Sequence, residues 1–392
     1  MKGAALLLLL SACFSPTVED GAECSPEGAC PPGQTCAADG RCYREQPSFL
    51  FRRRIDIHPL SLSDVQRDFP MAVVVTGDSG LADHARDDGL DLHFTEADGT
   101  TELAFEIESF DADAGDLVAW VRLPLLSFED AIYLQYGGEP FDRPPASEVW
   151  NQRYLAVWHG APDSDPAVLA DSTGNHNQGT SGGQQAPARV AGVVGPALSF
   201  DGIDDQVLID EAVPLVVLDP EADLLVTLWV EVTDSAEDDN TAIGKGTQSG
   251  SSPGFGFQLG KESWTVRLRG TAGNGDTVPA SFGDASALTG RWVMLGAAIV
   301  HGNAGVEQFP VVTSVDGEDV GLGYWLCSLA PCGLDLGGML FLSHPDARFA
   351  GLIDEVRVVD RKAGSENQRA EYENLADPES FYTVGDEETL LL

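Results

Sequence analysis

Seven cysteines, at positions 13, 24, 30, 36, 42, 327 and 332, are the residues whose spacing most plainly offers chemistry. Cys24, Cys30, Cys36 and Cys42 are each separated by five residues, and the text between them is proline, glycine and small polar types. Such a segment has almost nothing to bury, so two disulfides would have to hold its shape. Four cysteines allow three pairings, and the alternating one, Cys24–Cys36 with Cys30–Cys42, is favoured. Zinc is the rival chemistry, disfavoured because no histidine lies in the run and an oxidising compartment suits disulfides. Cys327 and Cys332 bracket a four-residue loop beside Tyr324 and Trp325 that a third disulfide would close, which leaves Cys13 over.

Catalytic constellations are harder to find. A strand bearing Glu-x-Asp-x-x-Glu would set two carboxylates on one face of a cleft for glycoside hydrolysis. Glu96-x-Asp98 runs on to Thr101, and Glu221-x-Asp223 and Glu237-x-Asp239 both lack the final glutamate. Gly250-Ser251-Ser252-Pro253-Gly254 matches the nucleophile-elbow pattern in letters, yet an elbow belongs between a strand and a helix, and this serine lies in a Gly/Ser-rich loop. None of the seven histidines forms a pair spaced for zinc. A non-catalytic protein is expected, with a diverged polysaccharide hydrolase as the distant alternative.

Met1-Lys2, the apolar run from Ala4 to Leu10, and Leu10-Ser11-Ala12-Cys13 follow the order of a secretory leader. The run is too short to span a bilayer, which takes about 20 residues. The segment resembles a bacterial lipobox, which implies cleavage after residue 12, lipidation of Cys13, and attachment to the cell envelope, with Phe14 favouring the outer membrane. Residues 13–47 resemble the Cys-rich stalks of myxobacterial surface lipoproteins. Acidic residues outnumber basic ones 63 to 22, a net charge of −41, which argues against nucleic acid and anionic lipid as partners. Contact with the membrane is expected through the lipid alone.

The elements that must position any site are strands. Arg53-Ile55-Ile57, Met71-Val73-Val75, Leu92-Phe94, Leu103-Phe105-Ile107, Leu117-Ala119-Val121 and Ile132-Leu134-Tyr136 alternate with polar residues or form short apolar runs between turn-rich text. They predict a β-sandwich over 48–149. Arg52-Arg53-Arg54 reads as local charge balance. Strings such as Asp88-Gly89-Leu90-Asp91-Leu92-His93-Phe94, Glu106-Ile107-Glu108 and Tyr133-Leu134-Gln135-Tyr136-Gly137 are similar to a bacterial domain of unknown function that commonly precedes a jelly-roll lectin domain. That resemblance implies architecture and no chemistry.

Over 150–385 the chain resembles the laminin-G-like, concanavalin A-like jelly roll. The carriers are Trp158, the loop Asp171 to Asn177, Gly195 to Gly202, and above all Phe349 to Val358. Strand-length segments at Leu224 to Val232, Trp264 to Arg269, Arg291 to Val300, Phe309 to Val315 and Leu352 to Val359 agree. One helix is expected after Ser365, which has capping-box spacing to Gln368, and residues 386–392 read as a tail. The fold class expected is therefore all-β, two β-sandwich domains after a short disulfide-rich segment.

The jelly-roll resemblance also implies a structural calcium, with Asp171, Asn175 and Asp354 as candidate ligands, while Asp204 and Asp205 read as hairpin-turn residues. Carbohydrate binding is the function the fold implies, though fold alone does not establish it. Trp229, Trp264 and Trp292 read as core. Tyr324 and Trp325, on the loop pinned by cysteines, are the candidate sugar platform. The leading expectation is recognition of a glycan or other envelope component, and the alternative is a scaffold binding a protein partner.

Overall fold

The computed structural model describes residues 22–390, apart from 26–28, 31–34, 37–40, 44–48, 61, 63–64, 129, 142, 161–164, 166, 183–184, 210–223, 233–239, 246–254, 269–276, 301–307, 327–338, 346 and 361–364. The leader with Cys13 and the Cys327–Cys332 loop lie outside the described residues. In the N-terminal segment Cys24 is joined to Cys36 and Cys30 to Cys42, around a three-stranded sheet of very short strands.

Two β-sandwiches follow. The first packs a four-stranded sheet, Tyr382–Thr389, Phe51–Ile57, Asp130–Tyr136 and His93–Glu96 in that order, on a three-stranded one, Gln66–Val75, Asp116–Leu126 and Phe105–Asp111. All six strands expected over 48–149 are present. The seventh comes from the far end of the chain: Tyr382–Thr389 pairs antiparallel with Phe51–Ile57. Residues 386–389 are thus strand and belong to the first sandwich, a correction to their reading as a tail. The Asp-Glu-Glu text is polar because it meets the arginines. Glu388 accepts from Arg52 at 2.7 Å, Glu387 from the Tyr136 hydroxyl at 2.7 Å, and Arg53 donates to the Gly385 carbonyl. Arg53 also pairs with Asp78 and Arg54 with Asp56.

The second sandwich is the jelly roll. Among the described residues its two sheets have eight strands each; one contains Leu224–Glu231, Trp292–Ile299 and Ala350–Val359, the other Thr241–Lys245, Phe255–Leu259 and Ser263–Leu268. Their inward residues, including Trp158, Phe257, Trp264, Leu295 and Phe349, form one apolar core.

The period-2 alternation of strands gives both sandwiches a second buried face. In Gln66–Val75, Phe69, Met71, Val73 and Val75 enter the first core, while Ala72 and Val74 point outward. In Leu224–Glu231, Leu224, Val226, Leu228 and Val230 enter the jelly-roll core, while Leu225 and Trp229 point outward. The outward sets meet. Ala72, Val118 and Trp120 from the first sandwich pack with Trp150, Tyr154, Trp229, Met294 and Ala298 in a third cluster at the seam. The helix Ser365–Ala376 lies over this seam: Ala370 reaches the first core, Leu375 the third cluster, and the Asn374 amide bonds both the N–H and the C=O of Ala72. Among the described residues no helix is long and apolar enough to cross a membrane.

Candidate functional site

The seam also encloses charge. Glu106 and Glu108 lie on Phe105–Asp111, where alternation turns both away from Phe105 and Ile107 and toward the jelly roll. A register shift between Ile107 and Ser109 sits at Glu108. Opposite, Ala350–Val359 carries a bulge of its own. The pairing with Leu224–Glu231 slips between Thr227 and Trp229, and Glu355 takes the left-handed backbone conformation at φ 48°. One extra residue in a strand resets which face each side chain takes. Ile353, Val356 and Val358 therefore enter the jelly-roll core, while Asp354, Glu355 and Arg357 project into the seam.

His159 stands between these two strands. Its Nδ1 lies 2.6 Å from Glu355 Oε1 and 3.7 Å from Glu108 Oε2, and its Nε2 lies 3.7 Å from Glu106 Oε2. The ring stacks on Trp120 and tilts against Trp150. Both indoles donate to carboxylates, Trp120 to Glu108 at 2.9 Å and Trp150 to Glu106 at 2.7 Å, and the Ser172 hydroxyl donates to Glu106. Arg357 donates to Glu355 at 3.1 Å, pairs with Glu371 at 3.4 Å, and lies over the rings of Trp120 and Trp150.

Burial and neighbours sort the protons. Burial pushes the Glu108 carboxyl up to about 8, with Glu355 and Glu106 reinforcing it and His159 opposing. Asp354 is raised well above the usual carboxylate range by burial and by Glu355 and Glu108. Burial also works against the charged form of His159, but Glu355, Glu106 and Glu108 outweigh it and hold the imidazolium well above its ordinary value. Burial would raise Glu106 too, yet His159, Ser172 and Trp150 bring it below its ordinary value.

Next to this cluster the seam opens to solvent. A recess of about 130 Å³ is lined by Arg67, Asp68, Asn151, Arg153, Tyr154, Asn367 and Glu371. It adjoins a wider cleft of about 690 Å³ that adds Arg122, Ser147, Glu148, Trp150, Gln152 and Asn175. Arg67, Arg122 and Arg153 have no ion-pair partner among the described residues, unlike Arg52, Arg53, Arg54, Arg86, Arg291, Arg357 and Arg369. The Arg122 Nε is buried and without a hydrogen-bond partner. Such a cleft can present guanidinium forks to a carboxylate, and amides to hydroxyls.

The expected calcium ligands Asp171, Asn175 and Asp354 are each engaged in hydrogen bonds of their own. Both Asp171 oxygens are occupied, by the N–H groups of Val157, Thr173 and Asn177 and by the Thr173 hydroxyl. Asn175 turns its amide nitrogen to the carbonyls of Tyr154 and Leu155. Asp354, on Ala350–Val359, accepts from the backbone amides of Val193 and of its neighbour Glu355. Calcium takes six to eight oxygen ligands, and these three side chains, as folded, do not fit it. Asp201, Asp204 and Asp205 draw together in a turn held by Asp201 and Asp205 accepting local amides. Tyr324 is half exposed on Glu318–Leu326, an edge strand whose Val320 and Leu322 are also exposed. The Trp325 side chain lies outside the description. Trp264 is core, whereas Trp229 and Trp292 pack at the seam.

Residues 88–142 match a family described as a domain of unknown function (DUF2341). Similar solved structures are the binding domain of Paraclostridial Mosquitocidal Protein 1 (8% identity, TM-score 0.41, 56% of this chain and 52% of that one), and the botulinum neurotoxin serotype D binding domain (11%, 0.42, 56% and 51%). The receptor binding domain of the botulinum neurotoxin C/D mosaic serotype is another (13%, 0.43, 56% and 51%). The chain spans about half the length of these structures. No curated protein matches it.

The seam residues Glu106, Glu108, His159, Glu355, Arg357 and Glu371 were not among the sites expected from sequence. Glu106-Ile107-Glu108 has the alternation that places two carboxylates on one face of a strand, and that was the one available signal.

Proposed function

We propose that this is an exported, lipid-anchored recognition protein without catalytic activity, and that the seam cleft receives a glycan bearing a carboxylate. The observation that carries the reading is the convergence of Arg67, Arg122 and Arg153, free of ion pairs among the described residues, in one cleft that also presents the amides of Asn151, Gln152 and Asn175 beside the carboxylates Asp68, Glu148 and Glu371. The net charge of −41 repels an anionic ligand at long range. Long-range repulsion of an anionic ligand is screened beyond about 8–10 Å at physiological ionic strength, so a short acidic group can still reach the guanidinium forks.

A glycan array probed with the intact protein tests this. Acidic oligosaccharides should be retained, neutral ones less so, and Arg122→Ala with Arg153→Ala should abolish retention. Equal binding by the double variant would move the site elsewhere, and turnover of any polysaccharide would overturn the non-enzyme reading. Release from membranes on Cys13→Ser tests the anchor. The exposed stripe of Val320, Leu322 and Tyr324 on an edge strand favours a second reading, a scaffold that binds a protein partner there. Tyr324→Ala would then weaken partner capture and leave glycan binding intact.

A further inference from the structure

The buried cluster at the seam holds five carboxylates, Glu106, Glu108, Asp354, Glu355 and Glu371, against two cationic side chains, His159 and Arg357. Glu108 and Glu355 side chains are 0% exposed and His159 5%. Uncompensated buried charge costs several kcal/mol per ion, so protons or a bound cation must balance the excess. The geometry favours a cation at one point. One ligand atom from each of Glu108, His159 and Glu355 lies within 4.8 Å of the others. Ligands of a tetrahedral ion at about 2.1 Å stand roughly 3.4 Å apart. The 2.6 Å separation of His159 Nδ1 from Glu355 and its 3.7 Å separation from Glu108 therefore need only shifts of under about an ångström.

Two further features fit a metal and not just an ion pair. Glu108 Oε1 and His159 Nε2 are buried without hydrogen-bond partners. With Nδ1 on an ion, Nε2 would carry the proton toward Glu106 Oε2, which faces it at 3.7 Å. A carboxylate behind a ligating imidazole is the usual outer-shell arrangement. An imidazole with two carboxylates suits a first-row transition dication better than calcium, which takes oxygen alone. We propose that Glu108, His159 and Glu355 bind one such ion, of the zinc class, and that it joins the first sandwich to the jelly roll. Glu108 comes from one and the other two ligands from the other, so the site exists only when they are docked. This goes beyond the cleft reading and stands independently of it.

The test uses full-length protein exported by cells grown with added zinc or cobalt. Elemental analysis after dialysis should find one equivalent of metal, falling below a tenth in Glu108→Gln and in His159→Gln. Cobalt-loaded protein without the ligand substitutions should show one paramagnetically shifted imidazole N–H proton, a readout that does not depend on the variants folding. Protein without metal, metal retained in both variants, or cobalt binding without that resonance would each overturn the site.

Discussion

The jelly-roll core and the seam are both buried sheet faces, yet they are built from opposite materials. The core is aliphatic and aromatic, with Phe257, Leu295 and Phe349 fully enclosed. The seam mixes Trp120, Trp150 and Trp229 with Glu108, His159, Glu355 and Arg357 at comparable burial. Apolar packing is indifferent to direction, whereas buried charge is tolerated only in one arrangement that satisfies every partner. The core therefore supplies cohesion and the seam supplies orientation.

The strongest way to break that contrast is Arg357→Ala. Removing the cation leaves Glu355 and Glu371 facing each other in a dry interface, and a loss of about 3–5 kcal/mol is expected, read by denaturant unfolding. Phe257→Ala in the core should cost a similar 3–5 kcal/mol by cavity formation. The two should nonetheless differ in kind: Arg357→Ala should undock the sandwiches, seen as increased radius of gyration, while Phe257→Ala should lower the melting temperature of the jelly roll with the docking intact. Identical effects would erase the distinction.

Much of the core was readable and little of the seam. Segments such as Trp292–Ile299 are short apolar runs of strand length, and these were found in place, buried on both faces. Glu355 reaches the seam through a bulge, a one-residue backbone irregularity without a composition of its own, so alternation puts it on the wrong face. The helix Ser365–Ala376 was placed, but its polar residues gave no hint that Glu371 and Asn374 would be buried between two sandwiches. Tyr382–Thr389 was missed as a strand because its charges are matched by arginines more than three hundred residues away.

Smaller effects sharpen the comparison. Asn374→Ala removes two hydrogen bonds and strands both backbone groups of Ala72, with an expected cost of about 1–3 kcal/mol, measurable as faster amide exchange at Ala72. Arg122→Ala with Arg153→Ala should change stability by no more than about 0.5 kcal/mol, since neither guanidinium pairs with a carboxylate among the described residues. Arg52→Ala should cost less than about 1 kcal/mol, because its pair with Glu388 is solvent-exposed; thermal unfolding would check both.

The return of Tyr382–Thr389 to the first sandwich has a kinetic meaning. Arg52 and Glu388 are 336 positions apart, so a chain emerging N-terminus first shows six strands of the first sandwich long before the seventh arrives. Contacts of such span form slowly, since the closing of a long loop precedes its reward. Until then Phe51–Ile57 has a free edge, open to pairing with any other strand. The first sandwich is thus a clasp that only a full-length chain can fasten, and a ribosome that stops early or a protease that trims the end leaves it open.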